Sequence, residues 1–183
     1  MCHIPQQDPK FFRLLICIDQ ELAESTRLAG CRCGGVLHRA NYPRKPRGCP
    51  VELRAEFESR FSFCCASCRC RTTSRSVRFL GRRVYLSLVM VLVSARHAGQ
   101  NSSVNALSKA VSISVRTLQR WRTWWQQAFV NTSFWQVQCA RFMPSVLTSL
   151  LPASLLERFN DSTTEALHRL LVFLCPITQR EGV

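Results

Sequence analysis

Glycine is scarce in this chain, with seven in 183 residues, which excludes collagen-like and glycine-rich low-complexity architectures. Acidic residues are few as well, 11 against 25 Lys+Arg, and lysine is nearly missing, since 22 of those 25 cations are Arg. Long apolar runs are also missing. The longest, residues 84–95, is closed by Arg82 and Arg83 before it and Arg96 after it, short of the ~20 residues a bilayer-spanning helix needs. A shorter run, Phe11 to Ile18, is interrupted by Arg13, preceded by Asp8 and followed by Asp19, Glu21 and Glu24. It has no basic leader and no small-residue cleavage site, so it reads as the start of a helix and not as a signal peptide. No internal repeat is found. The length allows one ordinary domain or two small ones, and excludes a TIM barrel of about 250 residues. At 46% hydrophobic the chain can build a core, which argues against wholesale disorder.

The cations are unevenly placed. Residues 1–29 hold three cations and four anions, and residues 126–183 hold four of each. Residues 30–90 hold thirteen cations and three anions, and residues 91–125 hold five cations and no anion. The formal charge of +14 therefore comes entirely from positions 30–125. A contiguous, Arg-dominated excess is the footprint expected for a polyanion partner, because a planar guanidinium matches phosphates and guanine edges. The alternative is a solvated basic surface. Nucleic acid is the favoured partner.

Periodicity divides the chain into segments. Phe11, Leu14, Leu15, Ile18, Leu22 and Leu28 fall near a 3.6-residue period, predicting a helix over residues 10–29 that Gly30 ends. Residues 30–80 are rich in Cys, Pro and Arg, with short β-like pieces at Phe61–Phe63 and Val77–Phe79. Residues 82–97 return to helix, and two further helical patterns occupy residues 104–129. Pro144 and Pro152 each mark a helix start or break. A last helix is predicted over 163–174, where Ser162-Thr-Thr-Glu165 forms a capping box and Leu167, Leu170, Leu171 and Leu174 make the apolar stripe. The expected architecture is mainly α: an N-terminal helix (1–29), a small zinc-ribbon β element (30–80), a tri-helical helix-turn-helix unit (81–130), and a C-terminal helical region (131–183) available for dimerisation.

Eleven cysteines are many for this length. In a cytoplasmic chain, where disulfides are rare, close cysteine spacings point to metal. Cys31-Arg-Cys33-Gly-Gly reads as one knuckle, its glycines permitting the positive φ such a turn needs. In Cys64-Cys65-Ala-Ser-Cys68-Arg-Cys70, Cys65-x-x-Cys68 has the spacing for two thiolates on one tetrahedral ion. Zinc bound by Cys31, Cys33, Cys65 and Cys68 is the expectation, with Cys64 and Cys70 as alternates and a long insertion between the knuckles. Such a closed four-thiolate site is structural. Free thiols or an iron–sulfur cluster are the alternatives. Cys2, Cys17, Cys49, Cys139 and Cys175 are isolated and read as small buried hydrophobes. His38 reads as a surface group. The segment between the knuckles carries Arg44, Lys45 and Arg47 between prolines, a loop suited to lie along a phosphate backbone, or else an exposed hairpin tip.

Residues 104–125 read as a helix-turn-helix. Leu107, Ala110 and Val111 face inward on the first helix, Ser112-Ile113-Ser114 makes the turn, and Ser114 caps the second helix. Val115, Leu118, Trp121 or Arg122, and Trp125 then form an inner stripe, leaving Arg116, Thr117, Gln119, Arg120 and Thr123 outward. A recognition helix presents such N-terminal outward residues to the major groove. Arg116 and Arg120, one turn apart, would meet base edges or phosphates, with Ser114 donating to a phosphate at the helix start. An ordinary helical hairpin is the alternative. Trp121, Trp124, Trp125 and Trp135 read as core or dimer contacts.

The order of features resembles the N-terminal DNA-binding half of zinc-ribbon insertion-sequence transposases: a CxC knuckle, a basic hairpin, a CxxC knuckle, Arg71-Thr-Thr-Ser-Arg-Ser-Val-Arg-Phe79, an apolar helix, then Leu107-Ser-Lys-Ala-Val-Ser-Ile-Ser-Val-Arg-Thr-Leu-Gln-Arg-Trp121. The resemblance covers residues 30–125. It implies Cys31, Cys33, Cys65 and Cys68 as ligands, and Arg116 and Arg120 on a recognition helix that binds terminal inverted repeats. Those transposases continue into a ribonuclease-H-like domain with three metal-binding carboxylates. Here Glu157, Asp161, Glu165 and Glu181 are crowded into 25 residues, whereas a two-metal site draws carboxylates from separate strands. Catalytic activity is therefore not carried over, and the expectation is an accessory or regulatory protein, or a remnant, of a mobile element.

The expected function is that of a non-enzymatic, zinc-stabilised protein binding duplex DNA through an Arg-rich helix-turn-helix, transposase-associated or regulator-like. The alternative is a zinc-ribbon module for RNA or nucleoprotein with a plain helical bundle. No Ser-His-Asp set, phosphate-cradling loop or spaced carboxylate set supports a hydrolase. The C-terminal region reads either as a homodimer contact or as packing back onto the first helix; no membrane and no small-molecule partner is expected, and the location is the cytoplasm, at the nucleoid if the source is bacterial.

Overall fold

The computed structural model describes residues 9–46, 51–80, 91, 114–159 and 163–179. Among them are six α-helices and five short strands, so the protein is mainly helical with a small antiparallel sheet. The chain folds as two compact units, Met1–Ser87 with Leu171–Val183, and Leu88–Leu170. The described residues from Leu171 onward cluster with the first of these units. No helix among the described residues is long and apolar enough to cross a membrane.

The first unit opens with α1 (Pro9–Ala29). Its buried stripe is Phe11, Phe12, Leu15, Ile16, Asp19 and Ala23. This differs from the predicted stripe, since Leu14 is 42% and Leu28 71% exposed. The helix ends where Gly30, at φ +71°, returns its N–H to the Arg27 carbonyl at 3.2 Å. β1 (Leu37–Arg39), β4 (Ser62–Cys65) and β5 (Arg71–Thr73) form a three-stranded antiparallel sheet in the order β1-β4-β5. Leu37 faces Cys65, and Arg39 faces Phe63. Leu37, Phe63 and Cys65 share one sheet face and bury it with Ala23 of α1. The long insertion between the knuckles is structured at both ends. β2 (Tyr42–Pro43) pairs with β3 (Ser59–Arg60), and a 3₁₀ turn at Val51–Leu53 leads into α2 (Arg54–Phe57), which buries Phe57.

No strand forms at Val77–Phe79, where the sequence pattern predicts a β-like piece. The backbone donor that a ladder would use is taken by a side chain: Val77 N–H donates to Asp19 Oδ1 at 2.7 Å. Ser76 Oγ donates to Asp19 Oδ2 at 2.5 Å, and Arg78 Nε donates to the same oxygen at 2.7 Å. The Arg78 guanidinium lies 5.3, 4.9 and 5.1 Å from the ring centroids of Phe57, Phe61 and Phe79. Its remaining donors reach the carbonyls of Glu56 and Ser59. Arg60 is buried too, and donates to the carbonyls of Ser74, Arg75 and Thr178. Ser76 N–H donates to Thr178 Oγ1 at 2.9 Å, so the chain's last described turn is tied into this network.

In the second unit α3 (Val115–Thr123) continues as a π-helical stretch, Trp124–Phe129. A turn leads to α4 (Ser133–Gln138), capped by Thr132 Oγ1, which accepts from Trp135 N–H at 3.1 Å. Rings pack in series here. Trp125 meets Phe129 at 5.0 Å, Phe129 meets Trp135 at 5.1 Å, and Phe142 meets Phe159 at 6.1 Å. Trp121, Trp125 and Trp135 are buried, which supports reading them as core. α5 (Ala153–Leu156) starts directly after Pro152, as expected, whereas Pro144 lies in a non-helical stretch. α6 (Thr163–Leu174), which belongs to this unit as far as Leu170 and to the first unit from Leu171, matches the predicted final helix and buries Leu167, Leu170, Leu171 and Leu174. Its predicted cap, Ser162, lies outside the described residues.

Candidate metal centre and basic helix

Two tight turns carry the thiols. In the first, Gly34 N–H donates to the Cys31 carbonyl at 2.8 Å and Cys31 N–H to the Gly35 carbonyl at 3.1 Å, with Gly34 at φ +80°. A left-handed residue is what bends the chain back here, and glycine adopts that conformation without a Cβ clash. In the second, Arg69 N–H donates to the Cys65 carbonyl at 3.2 Å and Cys65 N–H to the Cys70 carbonyl at 3.0 Å. The positive-φ position of this turn, φ 60°, is occupied by Arg69. Ala66 N–H donates to the Val36 carbonyl at 2.9 Å, joining the two turns at the end of the β1–β4 ladder.

The result is a cluster of four sulfurs. The Sγ atoms of Cys31, Cys33, Cys65 and Cys68 all lie within 4.8 Å of one another. Two contacts run between the turns: Cys31 to Cys68 at 3.5 Å, and Cys33 to Cys65 at 3.5 Å. A tetrahedral tetrathiolate zinc with bonds of about 2.3 Å has edges of about 3.8 Å, so the donor set fits such an ion in number, type and spacing. Backbone N–H groups of Cys68 and Ser67 hold the Cys65 thiol down to about 6 against the opposing effect of its burial. For Cys68 the Cys70 backbone lowers the pKa, but the neighbouring Cys33, Cys31 and Cys65 thiols outweigh it and push it up. Four sulfurs this close cannot all ionise without a cation between them.

Gly35 forms one wall of the cluster. A Cβ at this position would stand 2.6 Å from Cys65 Sγ and 2.7 Å from Ser67 Oγ. The alternates drop out. Cys64 points to the opposite sheet face and donates to the Arg69 carbonyl at 3.5 Å, while Cys70 is exposed and outside the cluster. The alternation of β4 decides between Cys64 and Cys65, because adjacent strand residues face opposite ways. His38 pairs with Cys64 in the ladder and stays outside the cluster. Among the isolated cysteines, Cys175 is buried as expected, but Cys17 is exposed, and Cys2 and Cys49 lie outside the described residues.

The expected nucleic-acid residues separate into groups. Ser114 caps α3 as predicted: its Oγ accepts from Thr117 N–H at 3.3 Å. Arg116, Gln119 and Arg120 are exposed, while Leu118, Trp121 and Trp125 are buried beneath them. Arg122 is exposed, so Trp121 takes the inner position. Thr117 was expected to face outward; it is 8% exposed. Its hydroxyl lies 3.0 Å from Ser114 Oγ and accepts from Arg120 Nη2 at 3.3 Å. The capping interaction draws it in. Lys45 is exposed, but Arg44 is half-buried, its guanidinium 5.2 Å from the Tyr42 ring and 5.8 Å from that of Phe79. Arg47, the helix predicted at 105–111 and the supporting helix at 82–97 lie outside the described residues, apart from position 91.

Arg60 and Arg78 belong to the basic half of the sequence yet are interior residues. Asp19, which neutralises Arg78, was missed. The signal was an acid four residues from both Leu15 and Ala23, on the buried face of an otherwise apolar stripe.

No protein-family model matches this chain, and no curated protein and no solved structure matches it significantly.

Proposed function

We propose that this chain is a zinc-stabilised, non-enzymatic DNA-binding protein of zinc-ribbon and helix-turn-helix type, akin to the DNA-binding half of insertion-sequence transposases. The convergence of four thiols carries the zinc assignment, since soft thiolates in a four-coordinate set select zinc and leave no open position for substrate. Zinc would join the turn after α1 to the turn between β4 and β5 and so hold the small sheet closed. The α3 surface supports the DNA reading. Arg116, Gln119, Arg120 and Arg122 project from a capped helix whose other side is core, and no Asp or Glu occurs between Glu58 and Glu157. Nothing in that long stretch would repel a phosphate backbone.

The test uses the full chain, purified reduced without added metal. Elemental analysis is expected to find about one zinc per chain, as a single tetrathiolate site holds one ion. Selection from a random duplex library is then expected to yield a preferred sequence. Arg120→Ala should weaken discrimination between that sequence and random DNA, whereas loss of a phosphate contact alone would weaken both uniformly and lower the salt slope by about one. Preference for RNA over duplex DNA, or no selected sequence, would overturn the DNA reading. Folded, metal-free protein would overturn the zinc reading.

A further inference from the structure

We infer that the four-thiol centre is also a site of reversible oxidation by peroxide, in which two disulfides form across the turns, Cys31 to Cys68 and Cys33 to Cys65. The inference rests on the zinc reading for its released metal, but its pairing rests on geometry alone. Two sulfur–sulfur contacts of 3.5 Å, each oriented as a thiol hydrogen bond, run from one turn to the other. Each pair also combines an exposed cysteine with a more sheltered one. Cys68 is exposed and Cys31 half-buried; Cys33 is exposed and Cys65 buried. A closed structural site in a protein interior would shield all four. Here a small oxidant can meet one sulfur of each pair while the partner waits within contact distance.

The chemistry balances with a hydroperoxide as oxidant. The exposed thiolate attacks the peroxide O–O bond, giving a sulfenic acid and hydroxide. The partner thiolate then attacks that sulfur, forming the S–S bond and expelling the second hydroxide. Each disulfide consumes one peroxide and releases two hydroxides, which become water on taking up two protons. Two such events remove all four thiolate ligands and free the metal dication. The oxidised sheet keeps its register, because the β1–β4 ladder and the hydrogen bond from Ala66 N–H to the Val36 carbonyl already join the two turns. Cys64 and Cys70 take no part, since Cys64 lies on the other sheet face and Cys70 lies outside the cluster.

The experiment adds hydrogen peroxide in steps to the full-length, zinc-loaded protein, follows zinc release with a colorimetric chelator, and maps disulfides by mass spectrometry without reduction. The expected result is about two peroxides consumed per zinc released, with Cys31–Cys68 and Cys33–Cys65 as the main bridges, reversed by dithiol and zinc. Bridges within a turn, bridges through Cys64 or Cys70, or sulfinic acids without bridges would overturn the inference. Protein that proves metal-free would fail the zinc reading separately, and the same map on its free thiols would still decide the pairing.

Discussion

Asp19 and Arg78 form a fully buried ion pair, Nε to Oδ2 at 2.7 Å, with both side chains at 0% exposure. The carboxylate also accepts from Ser76 Oγ and Val77 N–H, so three donors converge on it. This pair fastens the segment after β5 to α1, and Phe57, Phe61 and Phe79 surround the cation. Asp19→Asn keeps the size but leaves the guanidinium buried without its counter-charge, a loss of about 3–5 kcal/mol. Arg78→Met, which fits the same aromatic cage, should cost less, and the double variant should cost less than the sum of the two. The four tryptophans all lie in the other unit, so the readout is amide exchange across α1 and residues 59–80. Additive losses would show that the pair is not coupled.

Gly34 and Gly35 stand side by side but do different work. Gly34→Ala meets open space and only strains φ +80°, for which about 1–2 kcal/mol is expected with metal affinity preserved. Gly35→Ala drives a methyl into Cys65 Sγ, so it should lose metal affinity by at least about tenfold with little change elsewhere, as misplaced ligands do. Chelator competition on both variants distinguishes them. Equal metal affinity in the two would mean that the second turn yields easily and Gly35 is no wall.

The four clustered cysteines were legible because their spacing is local chemistry: two short turns, each with two thiols. Choosing Cys65 over Cys64 required strand alternation, which becomes visible once β4 is paired with β1, and choosing Cys68 over Cys70 required the path of the turn that follows. The helices at 9–29, 115–123 and 163–174 followed from 3.6-residue periodicity, but the stripe of α1 was misplaced by Leu14 and Leu28. Counting apolar residues missed that Asp19 occupies a buried position, because its partners lie nearly sixty residues away. The same long-range pairing turned Val77–Phe79 from a β-like piece into a clamp. It also withdrew Arg78 from the basic surface, while backbone carbonyls of Ser74, Arg75 and Thr178 withdrew Arg60. Composition sees charge but not which charges are neutralised inside.

Ser114, Thr117 and Arg120 form a short hydroxyl relay at the start of α3, with contacts of 3.0 and 3.3 Å. Ser114→Ala removes the cap and should destabilise the helix by about 1 kcal/mol. Thr117→Val keeps the buried volume and the backbone but deletes the acceptor for Arg120. If Arg120 reads DNA, this variant should fold normally yet bind its selected sequence several-fold less well. Thermal melts and binding titrations together check it. Unchanged affinity would mean that the relay serves only the cap.

The thiol assignment makes the sharpest division among single variants. Cys31→Ser, Cys33→Ser, Cys65→Ser and Cys68→Ser each remove one of four ligands, and a tri-thiolate site holds zinc far more weakly. Each should lose stoichiometric metal after dialysis against a mild chelator. Cys64→Ser and Cys70→Ser should retain it, because Cys64 donates away from the cluster to the Arg69 carbonyl and Cys70 stays exposed outside it. Cys65→Ser should be the most damaging for the fold as well. Its sulfur is fully buried beside Leu37 and Phe63, and a hydroxyl placed there loses apolar contact while needing a partner. Elemental analysis of the six variants, with circular dichroism on each, reads both effects. Metal loss in Cys64→Ser or Cys70→Ser with retention in Cys65→Ser or Cys68→Ser would reverse the ligand assignment within the second turn.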